Sequence, residues 1–413
     1  MQQGYYGQQP PYGQQPYGQQ QQYPPQPYGG APPPGQYGGP PPGQYGGPPP
    51  PPGGHYGYGQ PQQPYGQPPG GQGYYGGPPP QGDGYMSGPP APPSPGYVPN
   101  QLPPMDMSRD ADALRSAMKG FGTDEKALIQ ILSRLDPLQI EGVRQAFHQR
   151  HHRNLVNDIY SETSGHFREG LVALARGPLN QDVHNLNDAM AGLGTKESVL
   201  NDVLLGRSNA DINAIKAVYH QTYHRSLESD CHGDLSMKTE RLFDMVLAAR
   251  RNEESSPIIP QQIDADVTEL YRATEAHTVG TDEISVCSII SSRSDGQLRA
   301  IDQAYQQRYQ RSLEKVILKN FTGHMEKVLI FMLSAAVDRA KHDAWLLEDA
   351  MKGAGTKDVL LVNRVVRISR DRARMQQAKA AYRHFYKQEL RNRIQGETSG
   401  DYERLMVALV DSA

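Results

Sequence analysis

Three short segments of this 413-residue chain carry two glycines one residue apart, then a threonine, with an acid close behind. They read Met118-Lys-Gly-Phe-Gly-Thr-Asp-Glu125, Met190-Ala-Gly-Leu-Gly-Thr-Lys-Glu197 and Met351-Lys-Gly-Ala-Gly-Thr-Lys-Asp358. A fourth, His277-Thr-Val-Gly-Thr-Asp-Glu283, keeps only the second glycine. About 40 residues after each comes a second signature: Ser161-Glu-Thr-Ser-Gly165, Gly233-Asp-Leu-Ser236, Lys319-Asn-Phe-Thr-Gly323 and Gly396-Glu-Thr-Ser-Gly400. Two glycines around one residue let a backbone turn so that several carbonyl oxygens converge, in conformations that a Cβ would obstruct. Carbonyls joined by one bidentate carboxylate and water make the hard, irregular oxygen cage that calcium accepts. Gly120 to Glu162 spans 42 residues and so does Gly192 to Asp234, whereas Gly353 to Glu397 spans 44, which implies a small insertion between helices. Thr123 and its counterparts stand where a helix N-cap is expected.

The elements that must position these groups repeat with them. The four threonines, Thr123, Thr195, Thr281 and Thr356, are spaced by 72, 86 and 75 residues. The long interval contains Asn252-Glu-Glu-Ser-Ser-Pro-Ile-Ile-Pro260, a linker that splits the folded part into two pairs of repeats. Between the signatures the apolar spacing is helical: Leu128, Ile131, Leu132 and Leu135 form one stripe, and Phe167, Leu171 and Leu174 another. No stretch alternates with period two. The expectation is an all-α fold of four repeats with about five short helices each, at 105–178, 179–251, 261–337 and 338–413, the linker occupying 252–260. Residues 1–104 differ in kind. They contain no Lys, Arg, Ile or Phe, one charged side chain (Asp83), and 15 of the 24 tyrosines set among Gly, Pro and Gln. Such a low-complexity head buries too little apolar surface to offset its ordering entropy and is expected to be disordered.

The repeated Met-Lys-Gly-X-Gly-Thr loop with its distant acid resembles the annexins over residues 105–413. One Gly-X-Gly-Thr is a weak signal; four in register, each with its second signature, are specific. The resemblance implies a curved disc with calcium sites on its convex face, where the ion bridges protein oxygens and the phosphate of an acidic phospholipid membrane. Carried over, repeat 1 uses the carbonyls of Met118, Gly120 and Gly122 with the carboxylate of Glu162. Repeat 2 uses Met190, Gly192, Gly194 and Asp234, and repeat 4 uses Met351, Gly353, Gly355 and Glu397. A weaker site involves Thr123 and Glu125, and Lys119 and Lys352 are placed to meet lipid phosphate. Repeat 3 has Thr278 for the first glycine and Asn320 for the acid, so no principal site is expected there.

The remaining composition narrows the class. Net charge is −3, against a nucleic-acid binder held by a broad basic face. Two cysteines make no disulfide framework, no apolar run approaches the ~20 residues that span a bilayer, and no secretory leader is evident. A cytoplasmic protein that associates peripherally with membranes as calcium rises is the expectation. With no nucleophile elbow, phosphate loop or zinc spacing, no enzyme is expected. The rival reading is a helical scaffold acting through protein binding or self-association of the Pro/Tyr-rich head. Trp345 falls on an apolar helical stripe and is read as core.

Overall fold

The computed structural model describes residues 88–412 apart from Leu193, Ser236 and 277–279, and apart from the side chains of Asp234 and Met237. Most of the head, residues 1–87, thus lies outside the described residues. Twenty α-helices and no strand are found among those described. Repeat 1 comprises α1 (Ser108–Ala117), α2 (Glu125–Leu132), α3 (Pro137–His151), α4 (Leu155–Glu162) and α5 (Gly165–Arg176). Repeat 2 comprises α6 (Pro178–Met190), α7 (Glu197–Leu204), α8 (Asn209–Tyr223), α9 (Leu227–Asp234) and α10 (Met237–Leu247). Repeat 3 comprises α11 (Pro260–Thr274), α12 (Glu283–Ser292), α13 (Asp295–Tyr309), α14 (Leu313–Asn320) and α15 (Gly323–Val337). Repeat 4 comprises α16 (Arg339–Met351), α17 (Asp358–Ser369), α18 (Arg372–Tyr386), α19 (Leu390–Glu397) and α20 (Gly400–Asp411).

Capping residues set the punctuation. The third helix of every repeat is 15 residues long and ends in a left-handed residue that is not glycine: His152, His224, Gln310 and Lys387. In repeats 1 to 3 the side chain of Asn154, Ser226 or Ser312 then caps the next helix. That fourth helix is eight residues long in all four repeats. The two extra residues of repeat 4 fall between the starts of its second and third helices: α17 has 12 residues where α2 has 8, and the connection that follows is two residues shorter.

The linker divides the sequence but not the core. Buried side chains of repeats 1 and 4 form one cluster, including Leu128, Leu171, Leu361 and Leu405. Those of repeats 2 and 3 form the other, including Leu200, Phe243, Val286 and Leu329. The expected pairs, 1 with 2 and 3 with 4, are therefore corrected: α5 and α17 carry apolar faces that match each other across the length of the chain. The two cores meet at a polar junction. Arg364 Nε donates to Asp202 Oδ2 at 2.7 Å, Arg367 Nη2 to Asp182 Oδ1 at 2.7 Å and Asn185 Nδ2 to Asn363 Oδ1 at 3.2 Å.

The folded part also begins before residue 105. Gly88 N donates to Ser256 Oγ at 3.0 Å, and Ala91 N to Glu253 Oε2 at 3.2 Å. Ser94 N donates to Asp211 Oδ1 at 2.8 Å. Tyr97 is 4% exposed, and its hydroxyl donates to Asp182. Residues 88–104 hence depart from the disordered expectation, because a single tyrosine inserted among Arg and Asp side chains ties the segment down. Trp345 is corrected in the opposite direction: it is 42% exposed, with its ring 5.7 Å from Lys352 Nζ.

Candidate calcium loops

Each loop between the first and second helices closes by one hydrogen bond. Asp124 N donates to Ala117 O at 2.9 Å, Lys196 N to Ala189 O at 2.9 Å, Asp282 N to Ala273 O at 2.8 Å and Lys357 N to Ala350 O at 2.9 Å. Inside the loops φ is +117° and +89° at Gly120 and Gly122, +99° and +83° at Gly192 and Gly194, and +105° and +92° at Gly353 and Gly355. A Cβ added at any of these six meets nothing within 4 Å, so the backbone conformation demands glycine and space does not. The loops are anchored at their first residue: the Met118 and Met351 side chains are buried and that of Met190 half-buried. Beyond that anchor the chain is exposed, and Phe121 at the first loop's tip stands fully in solvent.

The second signature occupies the same place on the fourth helix of every repeat, and in repeats 1, 3 and 4 the loop threonine reaches it. Glu162, Asp234, Asn320 and Glu397 are each the last residue of the eight-residue helix. Thr123 Oγ1 donates to Glu162 O at 3.1 Å and lies 3.4 Å from its Oε2. Thr356 Oγ1 donates to Glu397 Oε2, and Thr281 Oγ1 stands 3.5 Å from Asn320 Oδ1. The threonines are therefore not the N-caps expected of them. The cap is the next residue: Asp124, Lys196, Asp282 or Lys357. The Asp124 and Asp282 carboxylates accept from Ala127 N and Ser285 N, leaving the threonine hydroxyl free to hold the distant acid.

Electrostatics separate the repeats. Glu397 is held below the usual carboxylate range, chiefly by the Thr356 hydroxyl and then by Arg393 against a desolvation cost. Among the described residues no Lys or Arg is ion-paired with Glu162. In repeat 3, Asn320 Nδ2 donates back to Val316 O at 2.8 Å and supplies no anion. Glu283, the acid beside Thr281, is paired with Lys238 at 2.8 Å. Glu125 opens α2 close to Thr123. Lys119 is exposed, and Lys352 is paired with Asp349 at 3.0 Å. The donors brought together are carbonyl, carboxylate and hydroxyl oxygens, with no sulfur or nitrogen among them; this set fits calcium. Sequence reasoning missed Arg393, whose signal was its place one helical turn before Glu397. It also missed His232, Glu240 and Asp244, whose ligand atoms lie within 4.8 Å of one another. There both ring nitrogens face carboxylates, at 2.6 Å to Asp244 and 3.3 Å to Glu240, the arrangement of an ion-paired imidazolium.

Comparison with known proteins places this geometry. The family model described as Annexin matches residues 109–174, 181–245, 265–332 and 342–409. The chain is 40% identical to Annexin C1 of Cryptococcus neoformans over 77% of its own length and 68% of that protein. It is 38% identical to Annexin A7 of Homo sapiens over 74% of its length and 62% of that protein. Among solved structures it resembles a point mutant of annexin A8 (TM-score 0.69, 32% identity, 74% of this chain and 95% of that one). It also resembles the calcium-bound annexin (Sm)1 (TM-score 0.67, 28% identity, 75% and 92%).

Proposed function

The chain belongs to the annexin family, known for calcium-dependent phospholipid binding, and on that premise we propose that it binds acidic phospholipid membranes peripherally through three calcium loops. The carbonyls of Met118, Gly120 and Gly122 act with the Glu162 carboxylate; those of Met190, Gly192 and Gly194 with Asp234; those of Met351, Gly353 and Gly355 with Glu397. Thr123 and Glu125 form a weaker neighbouring site, and Lys119 and Lys352 contact lipid phosphate. Repeat 3 lacks the anion and takes no part as a principal site. When bound, calcium supplies a charge that lipid phosphate can coordinate. The chain's own residues hold the oxygens in register before either arrives. The working compartment is the cytoplasm, and the role is one of membrane binding rather than catalysis.

One observation carries this reading: in repeats 1 and 4 a threonine hydroxyl joins the open glycine turn to an acid about 40 residues away, at Thr123 with Glu162 and at Thr356 with Glu397. One carboxylate per exposed loop corresponds to weak intrinsic affinity, in the ~10⁻⁴–10⁻³ M class. Calcium and lipid then raise each other's affinity, and three sites on one body add avidity of up to ~10²–10⁴. The test is sedimentation with phosphatidylserine vesicles across a calcium titration. Glu162→Gln, Asp234→Asn and Glu397→Gln each raise the calcium needed for half-maximal pelleting, while Asn320→Ala leaves it unchanged. Pelleting that ignores calcium, or an Asn320→Ala shift as large as the others, refutes the assignment.

A further inference from the structure

Repeat 4 alone places a cation at one position of its eight-residue helix. The residue four before the terminal acid or amide is Asp158 in repeat 1, Asp230 in repeat 2 and Val316 in repeat 3; in repeat 4 it is Arg393. Arg393 lies on α19 with its side chain 22% exposed, against Glu397 at 21%. Its Nη2 donates to the Met351 carbonyl at 2.6 Å. Its Nη1 donates to Glu397 Oε1, and its Nε stands 3.4 Å from Glu348 Oε2. Two of the four groups assigned above to the repeat 4 site, the Met351 carbonyl and the Glu397 carboxylate, are thus already bridged by one cation. The guanidinium suits that task, since its planar fork of donors can span a carbonyl and a carboxylate together. In repeat 1 the corresponding carboxylate, Glu162, meets only the Thr123 hydroxyl and has no cationic partner among the described residues.

We propose that Arg393 is a built-in competitor at repeat 4: a divalent cation reaches the Met351 carbonyl and Glu397 only after the guanidinium has left them. This inference rests on the reading of repeat 4 as a calcium site. Like charges cannot share two hard oxygens at contact distance, so the arginine's occupancy subtracts directly from the site's apparent affinity. Repeat 4 consequently loads at a higher calcium concentration than repeat 1. The loops of repeats 1 and 4 therefore fill one after the other as calcium rises, rather than together.

The experiment uses the full chain carrying Glu162→Gln and Asp234→Asn, so that repeat 4 is the remaining principal site. Calcium binding is measured by calorimetric titration without lipid, with circular dichroism melts as the folding control because Arg393 also reaches Glu348. Arg393→Gln is expected to tighten binding about three- to tenfold, the gain from freeing a site that is blocked roughly two-thirds to nine-tenths of the time. Arg393→Lys, which keeps the charge but loses the fork, gives a smaller gain and stands in if the glutamine variant is unfolded. Unchanged or weaker binding in a folded Arg393→Gln chain overturns the proposal, since the arginine would then be holding the ligands in place. Adding Glu397→Gln must weaken the measured binding. If it does not, or if no binding is seen with or without Arg393, the assignment of repeat 4 as a calcium site fails instead.

Discussion

Substituting Gly120 by alanine separates backbone strain from cation binding. Gly120 has φ +117°, outside the left-handed well that other residues sometimes visit, and an added Cβ meets no atom within 4 Å. The cost is therefore conformational alone, on the order of 1–3 kcal/mol if the loop keeps its shape. The loop is exposed and can instead relax toward negative φ, in which case the carbonyls of Met118, Gly120 and Gly122 lose their common focus. Transferred to calcium binding at that site, the same energy is a factor of roughly 5–150. Gly280 supplies the control. It is the counterpart of Gly122 in repeat 3, with φ +80° and open space around it, but without the acid. Gly120→Ala and Gly280→Ala should both lower the melting temperature by no more than a few degrees, at about 2 °C per kcal/mol for a chain of this size. Only Gly120→Ala should raise the calcium required for half-maximal vesicle pelleting. Equal calcium shifts from the two variants, or none from Gly120→Ala, would mean that the glycine turn has no part in holding a cation.

Two further predictions concern the junction of the two cores. Arg364 and Asp202 are both buried and joined by two hydrogen bonds, at 2.7 and 3.3 Å. Arg364→Met strands the Asp202 charge and should cost about 3–5 kcal/mol in urea denaturation, whereas Arg364→Met with Asp202→Leu should recover much of that loss; a double variant no better than the single one would refute the pairing. His342 is buried beside Ser334, whose hydroxyl lies 2.8 Å from Nδ1, and Phe331. It also lines a cavity of about 290 Å³ with Arg339, Arg364 and Arg374, which are paired with Asp295, Asp202 and Asp343. Burial first, then the charges of Arg339, Arg374 and Arg364, push its imidazole well below the ordinary value of 6.5. The unfolded chain then takes up a proton that the folded one refuses, so stability is full above about pH 6.5 and falls as the pH drops. His342→Gln should flatten that decline by up to ~1.4 kcal/mol per pH unit, measured as the difference between variant and parent denaturation at pH 7 and pH 5.

Much of the fold could be read from the sequence because its signals are local. Apolar residues at helical spacing, the four loops and the second signatures are each contained within a few turns of chain, and helices follow from them. What stayed hidden depends on distant partners. Nothing near Tyr97 in sequence announces that its hydroxyl meets Asp182, so composition alone assigned it to the head. Trp345 sits on an apolar stripe, but its indole is part-exposed and faces Lys352 at the start of the next loop. The threonine's role was misread because the N-cap rule ranks Thr and Asp close together, and the adjacent aspartate takes the cap at Asp124 and Asp282. Only the side chain across the loop, 39 residues on at Glu162, shows what the hydroxyl is for.

The pairing of repeats changes what three loops on one body can do. On the proposed reading, the loops of repeats 1 and 4 stand on one core, and that of repeat 2 shares the other core with the degenerate repeat 3. Avidity between the two groups requires that the cores keep a fixed relation while a membrane engages them. Apolar contact alone would permit sliding, since it is non-directional. The junction instead uses Arg364 with Asp202, Arg367 with Asp182, and Asn185 with Asn363, with Arg207 of repeat 2 on the same Asp182; these hydrogen bonds satisfy one another in only one register. Tyr97 locks onto the same Asp182, so the segment leading from the head closes the network that holds the two cores together.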